Sequence, residues 1–399
     1  MGGVNTGINS PVGGFAPVRA AEGVSASPVP VETKSVTADQ SQDSLSVSKG
    51  MASGLSLDDE LTSYDKLWLS RPGIKEDGFQ TDRASQYLNA KMPEGAQKAA
   101  EALVAANQPL ENQELANFSP TQQKQYAEIS SAIASNPSAH AALQILLGKG
   151  ELTRNVDSRG KTLLDNLDHM ATEKLTPGID RGDLLGKFIQ ELAEPTSISQ
   201  VTMGTCAAAS VQMLLANENP SELTRLVGDL ASTKGTSHLA DGTPIHRLPG
   251  SENDHSGRTV SSALFQDAMS NAAKGGIFSS HKDLATKFEA QYSGPTEEDV
   301  AKLVSSETKM NYVAVNIDDD WKNSIDYLTK MTQQGYKFPV GMEWKSTDPH
   351  SGRVETGGHS LLITKIANGQ VYLENPWGEE DSMSLDEFKK RNPSVALPE

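Results

Sequence analysis

The sequence predicts an α+β fold, with helices in the middle of the chain and an antiparallel sheet at its end. The first 56 residues are rich in Ser, Gly, Pro and Val and follow neither a helical nor a strand period. Capped, amphipathic helical patterns then run to about residue 310. Alternating apolar residues from Asn311 onward indicate strands. We therefore expect a disordered N-terminal segment (1–56), a helical region (57–194) and a C-terminal α+β domain (195–399).

Composition limits the partners. The net charge of −17 and the isoelectric point near 4.9 argue against nucleic acids and anionic membranes, because both attract basic surfaces. No apolar run approaches the roughly 20 residues of a membrane span, and residues 1–20 lack the basic start and apolar core of a signal peptide. We expect a cytoplasmic protein or one secreted by a non-classical route.

The N-terminal segment carries two weak targeting patterns. Residues 1–6, MGGVNT, match the myristoylation pattern at Gly2. One acyl chain without a polybasic patch gives no stable membrane anchor. The Ser-rich segment has no acidic residue before Glu22 and resembles the export signals of bacterial type III effectors. A plain flexible tail is the alternative.

The helical region is punctuated by capping residues. Ser119, Pro120 and Gln122 form a capping box with proline at the first helical position, and Asp180 caps the last helix. Three roles stay open for this region: a pro-region, an intramolecular inhibitory cover, or a partner-binding module. The expected helices span 57–69, 95–107, 119–135, 138–147, 161–172 and 180–193.

The C-terminal domain is expected to begin with helices. They span 206–217, 219–232, 259–274, 281–292 and 296–306. The loop 233–257 holds His238, His246 and His255, whose separations suit no metal site, so we expect surface residues and no bound metal. Strands follow at 311–317 and 337–344, then a hairpin at 359–375. The run 318–320 is interpreted as acidic caps ahead of a helix at 321–334, and Ser384 caps a short last helix.

Cys206 is the only cysteine of the chain, so it cannot form an intramolecular disulfide. It opens an Ala-rich, apolar helical pattern after Gly204 and Thr205. Unpaired N–H groups and the positive end of the dipole at a helix start stabilise a thiolate, the form that attacks carbonyl groups. The alternative is a buried structural cysteine.

Two later motifs supply a base and an orienting group. His359 lies at the start of an apolar strand after Gly357 and Gly358, and Asn375 ends the next strand in Asn-Pro-Trp-Gly. His359 follows Cys206 by 153 residues, and Asn375 follows His359 by 16. In this order and spacing, the C-terminal domain resembles a papain-like cysteine peptidase. His350 is a poor rival base, since nothing places it near a helix start.

The resemblance implies a two-lobed fold, a helical lobe and an antiparallel β lobe, that acts on protein or peptide substrates without a cofactor. It assigns Cys206, His359 and Asn375 to a catalytic triad. It also assigns Gln200 to the oxyanion hole. Trp377 would cover the His–Asn hydrogen bond, and Gly358 with Gly357 would leave room for a substrate backbone. The chain departs from the family after the nucleophile, where Ala207, Ala208 and Ala209 stand.

Other functions use similar residues. A glutamine deamidase or acyl transferase also uses Cys and His, but typically with a shorter interval and an Asp. A peptidoglycan-cleaving enzyme would carry an export route and often a basic wall-binding module. A non-catalytic interaction protein on the same fold is the third alternative.

Strand register offers an independent test of the triad. A regular hairpin closed by a two-residue Asn368–Gly369 turn would put Asn375 opposite Leu362, on the sheet face away from His359. The sequence-based triad therefore requires an odd-length loop or a bulge in one strand.

Overall fold

The structure is a computed structural model that describes residues 94–201, 203–291, 295–347 and 354–399. The expected N-terminal segment 1–56 with Gly2, the helix at 57–69 and His350 lie outside these residues. Within them the fold is α+β, as predicted. None of the described helices combines the length and apolar composition that a bilayer span requires.

In the described part of the chain, six helices precede Cys206. The predicted capping box of Ser119 and Gln122 is present, and Asp180 caps its helix as expected. The first helix reaches Leu115 rather than 107, with Pro109 inside it. The helices are α1 (Glu94–Leu115), α2 (Pro120–Ala132), α3 (Pro137–Gly148), α4 (Glu151–Arg154), α5 (Leu163–Thr172) and α6 (Arg181–Ala193).

Five further helices follow with boundaries close to the predicted ones. They are α7 (Cys206–Glu218), α8 (Pro220–Ala231), α9 (Val260–Ala273), α10 (His281–Gln291) and α11 (Glu297–Thr308). The expected loop 233–257 is not irregular throughout, because β1 (Thr236–His238) and β2 (Pro244–His246) form a small hairpin within it. His238, His246 and His255 are exposed, as predicted.

A six-stranded antiparallel sheet forms the C-terminal half. Its order is β3-β8-β4-β5-β6-β7. The strands are β3 (Tyr312–Asn316), β4 (Phe338–Thr347), β5 (Val354–Ala367), β6 (Gln370–Asn375), β7 (Glu379–Ser384) and β8 (Ser394–Pro398). The strands β7 and β8 were not predicted from the sequence, because β7 consists mostly of polar residues and β8 has only five residues. The helices α12 (Trp321–Gln333) and α13 (Leu385–Lys390) complete the fold.

The acidic run 318–320 lies in a short 3-10 turn, Ile317–Asp320, whose N-cap is Asn316. Asp320 makes no side-chain capping hydrogen bond to α12. Asp320 therefore occupies the predicted N-cap position of α12, but without a side-chain capping hydrogen bond.

The two faces of the sheet carry different layers. Helices α7 and α11 pack on one face, and α12 packs against β5 on the other. Alternation along β5 divides the side chains accordingly: Leu362 belongs to the core under α7, whereas Leu361 and Ile363 belong to the core under α12. The larger core runs from Tyr126 in α2 to Ala396 in β8, so α2–α6 share one hydrophobic interior with α7–α9 and α11.

Candidate active site

A β-bulge brings His359 and Asn375 to the same sheet face. Asn368 and Gly369 form a two-residue turn in the left-handed region, with φ of 53° and 76°. The ladder pairs Lys365 with Tyr372 and then Ile363 with Leu373, leaving Thr364 as the extra residue. This shift places Asn375 one step beyond the Leu362–Glu374 pair, opposite Leu361. The register prediction is confirmed, through a bulge rather than a longer loop.

The resulting hydrogen bond fixes the His359 tautomer. Nε2 of His359 lies 2.9 Å from Oδ1 of Asn375. The Asn375 amide is oriented by its own partners, because its Nδ2 donates to Asp381 (2.6 Å) and its Oδ1 accepts from the Trp377 N–H (3.2 Å). Oδ1 can only accept, so the neutral ring carries its proton on Nε2. Nδ1 then has a free lone pair and no hydrogen-bond partner in the described part of the chain.

Aromatic rings shield this pair from water. The Trp377 ring stacks on His359 with centroids 4.3 Å apart and an interplanar angle of 21°. Trp344 packs at 5.4 Å from the imidazole, and the Arg391 guanidinium lies 4.5 Å from the Trp344 ring centroid. Asn375 is fully buried and His359 is 5% exposed. The expected contact between Trp377 and the histidine is thus present.

Cys206 is the first residue of α7 and is partly exposed. The backbone N–H groups of Ser360, Ala207 and Cys206 itself lie near its sulfur and act to lower the pKa of the thiol. Ser360 follows His359 directly in β5, but alternation directs the Ser360 side chain to the α7 face and the imidazole to the opposite face, against Trp344 and Trp377. No hydrogen bond joins Sγ to the His359 ring, although both residues are described.

Burial shifts the pKa values of both groups toward favouring their neutral forms. It raises the pKa of the Cys206 thiol above its usual value, and the three N–H groups oppose this only in part. Glu297 adds to the increase through its negative charge. Burial also lowers the pKa of His359 to about 4, against the hydrogen bond to Asn375. The direction of this shift runs against the expected stabilisation of a thiolate by the helix start, because desolvation outweighs the N–H groups.

Gln200 lies close to the end of β6. Its backbone N–H donates to Pro376 O at 2.7 Å, and Ser199 forms a β-bridge with Trp377. Its side-chain Nε2 donates to Met203 O at 2.6 Å, which occupies one of the two amide protons. Oε1 is buried and has no hydrogen-bond partner. The next residue, Val201, has a φ of 52°, which is rare for a β-branched side chain and marks strain in this loop.

A buried polar network supports the loop before Cys206. Thr205 Oγ1 donates to Gln266 Oε1 at 2.8 Å. Gln266 Nε2 donates to Gln212 Oε1 at 3.0 Å, which ties α9 to α7. Arg258 Nη1 also donates to Gln266 Oε1, and its Nη2 binds Asp267 at 2.9 Å. These contacts fix the residue at which α7 begins.

Gly357 and Gly358 are exposed, and a Cβ built on either would meet no atom within 4 Å. No described residue requires glycine at these positions, so the space beside them is open on the side of the described protein atoms.

Sequence reasoning missed four contributors to this site: Ser360, Asp381, Trp344 and Glu297. All four depend on the pairing of β4, β5, β6 and β7 or on the packing of α11, which no short motif encodes. The described residues contain no group of three or more His, Cys, Asp or Glu placed to hold a metal ion.

Comparisons of the chain with models of known protein families, with curated proteins and with solved structures found no match.

Proposed function

We propose that the protein is a cysteine peptidase with a papain-like catalytic arrangement, in which Cys206 is the nucleophile, His359 the base and Asn375 the orienting group. The observation that carries the proposal is the buried 2.9 Å hydrogen bond from His359 to Asn375, formed through a bulge. The bulge aligns these two side chains, and the only cysteine of the chain lies near Ser360, the residue after His359. Packing of the sheet alone would not require this combination.

The chemistry follows a general-base route. Nδ1 of His359 takes the thiol proton as Sγ attacks the substrate carbonyl carbon, and the carbonyl π electrons move to oxygen. The Cys206 N–H and the second Nε2 proton of Gln200 stabilise that oxyanion. The imidazolium then protonates the departing amine, which leaves a thioester. Water then attacks the thioester carbonyl as His359 takes its proton. The intermediate releases the acid and the Cys206 thiolate, which regains that proton from His359.

Point variants separate catalysis from structure. We expect wild-type protein to cleave a library of denatured proteins and peptides at pH 5–8, with sites identified by mass spectrometry. Cys206→Ala and His359→Ala should lose cleavage while their thermal unfolding stays cooperative. His246→Ala is the matched control, since its imidazole is exposed on the β1–β2 hairpin, and it should retain activity.

Cleavage that persists in Cys206→Ala would overturn the proposal. Release of ammonia from glutamine peptides, or incorporation of an amine, without peptide cleavage would instead identify a deamidase or acyl transferase using the same residues. Absence of any Cys206-dependent reaction would favour an interaction protein.

A further inference from the structure

A carboxyl group that the proposed mechanism does not use lies beside the nucleophile. Glu297 is the first residue of α11, and its side chain passes across β4 at Gly341. A Cβ built on Gly341 would overlap the Glu297 carboxyl group, so only glycine permits this placement. Gly341 pairs with Ser360 of β5, whose backbone N–H lies near the Cys206 thiol. Since paired residues have Cβ positions about 5 Å apart, the carboxyl group faces the same point of β5 as the thiol.

This carboxyl group has no cationic partner. In the described part of the chain its hydrogen bonding is limited to its own backbone N–H. Burial and the neighbouring Glu298 and Asp299 raise the pKa of Glu297, and its charge in turn raises the pKa of Cys206. Partly burying a carboxylate without a hydrogen-bond donor costs free energy. This points to a hydrogen-bond donor supplied from outside the chain.

Ser360 gives a second, independent observation. The residue is 3% exposed, and its Oγ is buried without a hydrogen-bond partner. Its side chain is on the same sheet face as the position occupied by the Glu297 carboxyl group, because Ser360 and Gly341 are paired. Buried hydroxyl groups normally have a partner, so the Ser360 hydroxyl has an unmet hydrogen bond on the sheet face that carries Glu297.

The same face carries further negative charge. Glu343 pairs with Gly358 and is exposed, and its Oε1 accepts a hydrogen bond from Asn392. The β4–β5 surface next to Cys206 therefore presents two carboxyl groups and open glycines. A ligand group that satisfies it must donate several hydrogen bonds and carry positive charge.

We propose that Glu297 and Ser360 bind the ammonium or guanidinium group of a Lys or Arg side chain in the substrate, next to the bond that Cys206 attacks. Glu297 is then a specificity-determining residue, and Gly341 makes room for it. The inference rests on the proposed peptidase activity of this site, and it adds the class of substrate.

Cleavage specificity gives the first test. Matched peptides with Lys or norleucine near the cleaved bond are compared with wild-type protein, Glu297→Gln and Glu298→Gln. We expect Glu297→Gln to lower the preference for Lys about 10- to 100-fold, the value of a hydrogen bond to a charged group. Glu298→Gln should keep the preference, because Glu298 is exposed on the same helical turn.

An effect through the thiol alone would look different. Removing the Glu297 charge would then change the rates on Lys and norleucine peptides equally and leave their ratio unchanged. That result, or a wild-type protein that cleaves without preference for basic residues, would overturn the inference while the peptidase proposal stands.

Protection of the thiol tests binding without relying on cleavage. Cys206 is the only cysteine, so its alkylation by iodoacetamide at pH 8.5 reports on one site. The Lys peptide should slow alkylation of wild-type protein more than the norleucine peptide does, and this difference should vanish in Glu297→Gln. Protection without cleavage would contradict the peptidase proposal and retain the cation site; equal protection by both peptides would overturn the site.

Discussion

At the scale of single residues, the acid–base state of the candidate site follows from burial. Burial lowers the pKa of His359 to about 4 and raises that of Cys206, which favours the neutral form of each group. Catalysis then needs His359 unprotonated, and that form is lost only as the pH falls through about 4. We expect kcat/KM on a peptide substrate to keep its value at pH 5 and to fall near pH 4.

Trp377→Ala serves as the comparison for this pH profile. It removes the ring stacked on His359, admits water and moves the histidine pKa up toward its usual 6.5, so the acid limb should shift to higher pH. A wild-type acid limb at or above 6.5 would contradict the burial argument. The same argument predicts slow alkylation of Cys206 by iodoacetamide at pH 6, at the rate of an ordinary thiol.

Asp381 is predicted to be a positioning residue that acts through Asn375. It accepts from Asn375 Nδ2 and so holds Oδ1 toward His359. We expect Asp381→Ala to reduce kcat about 10- to 100-fold, the value of one hydrogen bond to a charged group. Asp381→Asn, which keeps an acceptor, should restore part of the rate.

Glu380→Ala is the matched control, because Glu380 is exposed on the same strand. A purely structural role for Asp381 would lower the melting temperature of both Asp381 variants without separating their kcat values, and the positioning role would then be wrong.

At the scale of elements, local capping residues predict where the helices begin. The strand pairing of the sheet, in contrast, determines which side chains of the candidate site lie together. The helices α2, α6 and α8 begin after Ser119, Asp180 and Asn219. Each of these side chains accepts a hydrogen bond from the backbone N–H three residues later. The proposed triad required either a bulge or an odd-length loop in this hairpin. The position of the bulge at Thr364 could not be predicted, because it depends on how β5 pairs with both β4 and β6. The direction of the Cys206 pKa shift could not be predicted for a related reason: helix-start effects are local, while desolvation depends on the whole surrounding structure.

The start of α7 depends on one buried glutamine. Gln266 is fully buried and contacts Thr205, Gln212 and Arg258. Gln266→Leu keeps much of the volume but leaves polar groups unpaired, so we expect a loss of about 2–4 kcal/mol in the free energy of unfolding. Catalytic activity should fall as well, since Thr205 precedes Cys206.

Urea unfolding measures this loss, with Gln113→Leu as control because Gln113 is exposed on α1. We expect the control to change stability by no more than about 0.5 kcal/mol. A Gln266→Leu protein as stable as wild type would show that the network does not hold the start of α7.

At the scale of the whole molecule, helices α2–α6 are part of the protein core and do not form a separate segment that could be removed from it. Their apolar side chains, among them Ile129, Leu143 and Phe188, belong to the same core as Val211 of α7 and Leu264 of α9. The junction is not an exposed linker either. Pro195–Ser197 forms a 3-10 turn, Ile198 is fully buried, and Ser199 pairs with Trp377 beside the candidate site.

Truncation tests whether residues 94–194 are structural. Removing residues 1–93 leaves every contact among the described elements in place, so we expect this variant to unfold cooperatively in a circular dichroism melt. Removing residues 1–194 exposes the core surfaces of α7, α8 and α9, and we expect loss of cooperative unfolding and of Cys206-dependent activity. A folded and active 195–399 fragment would contradict the shared core and restore the pro-region or inhibitory cover as the role of this region. The expected result would mean that the protein is regulated, if at all, by some means other than release of these helices, because α2–α6 share one core with the helix that begins at Cys206.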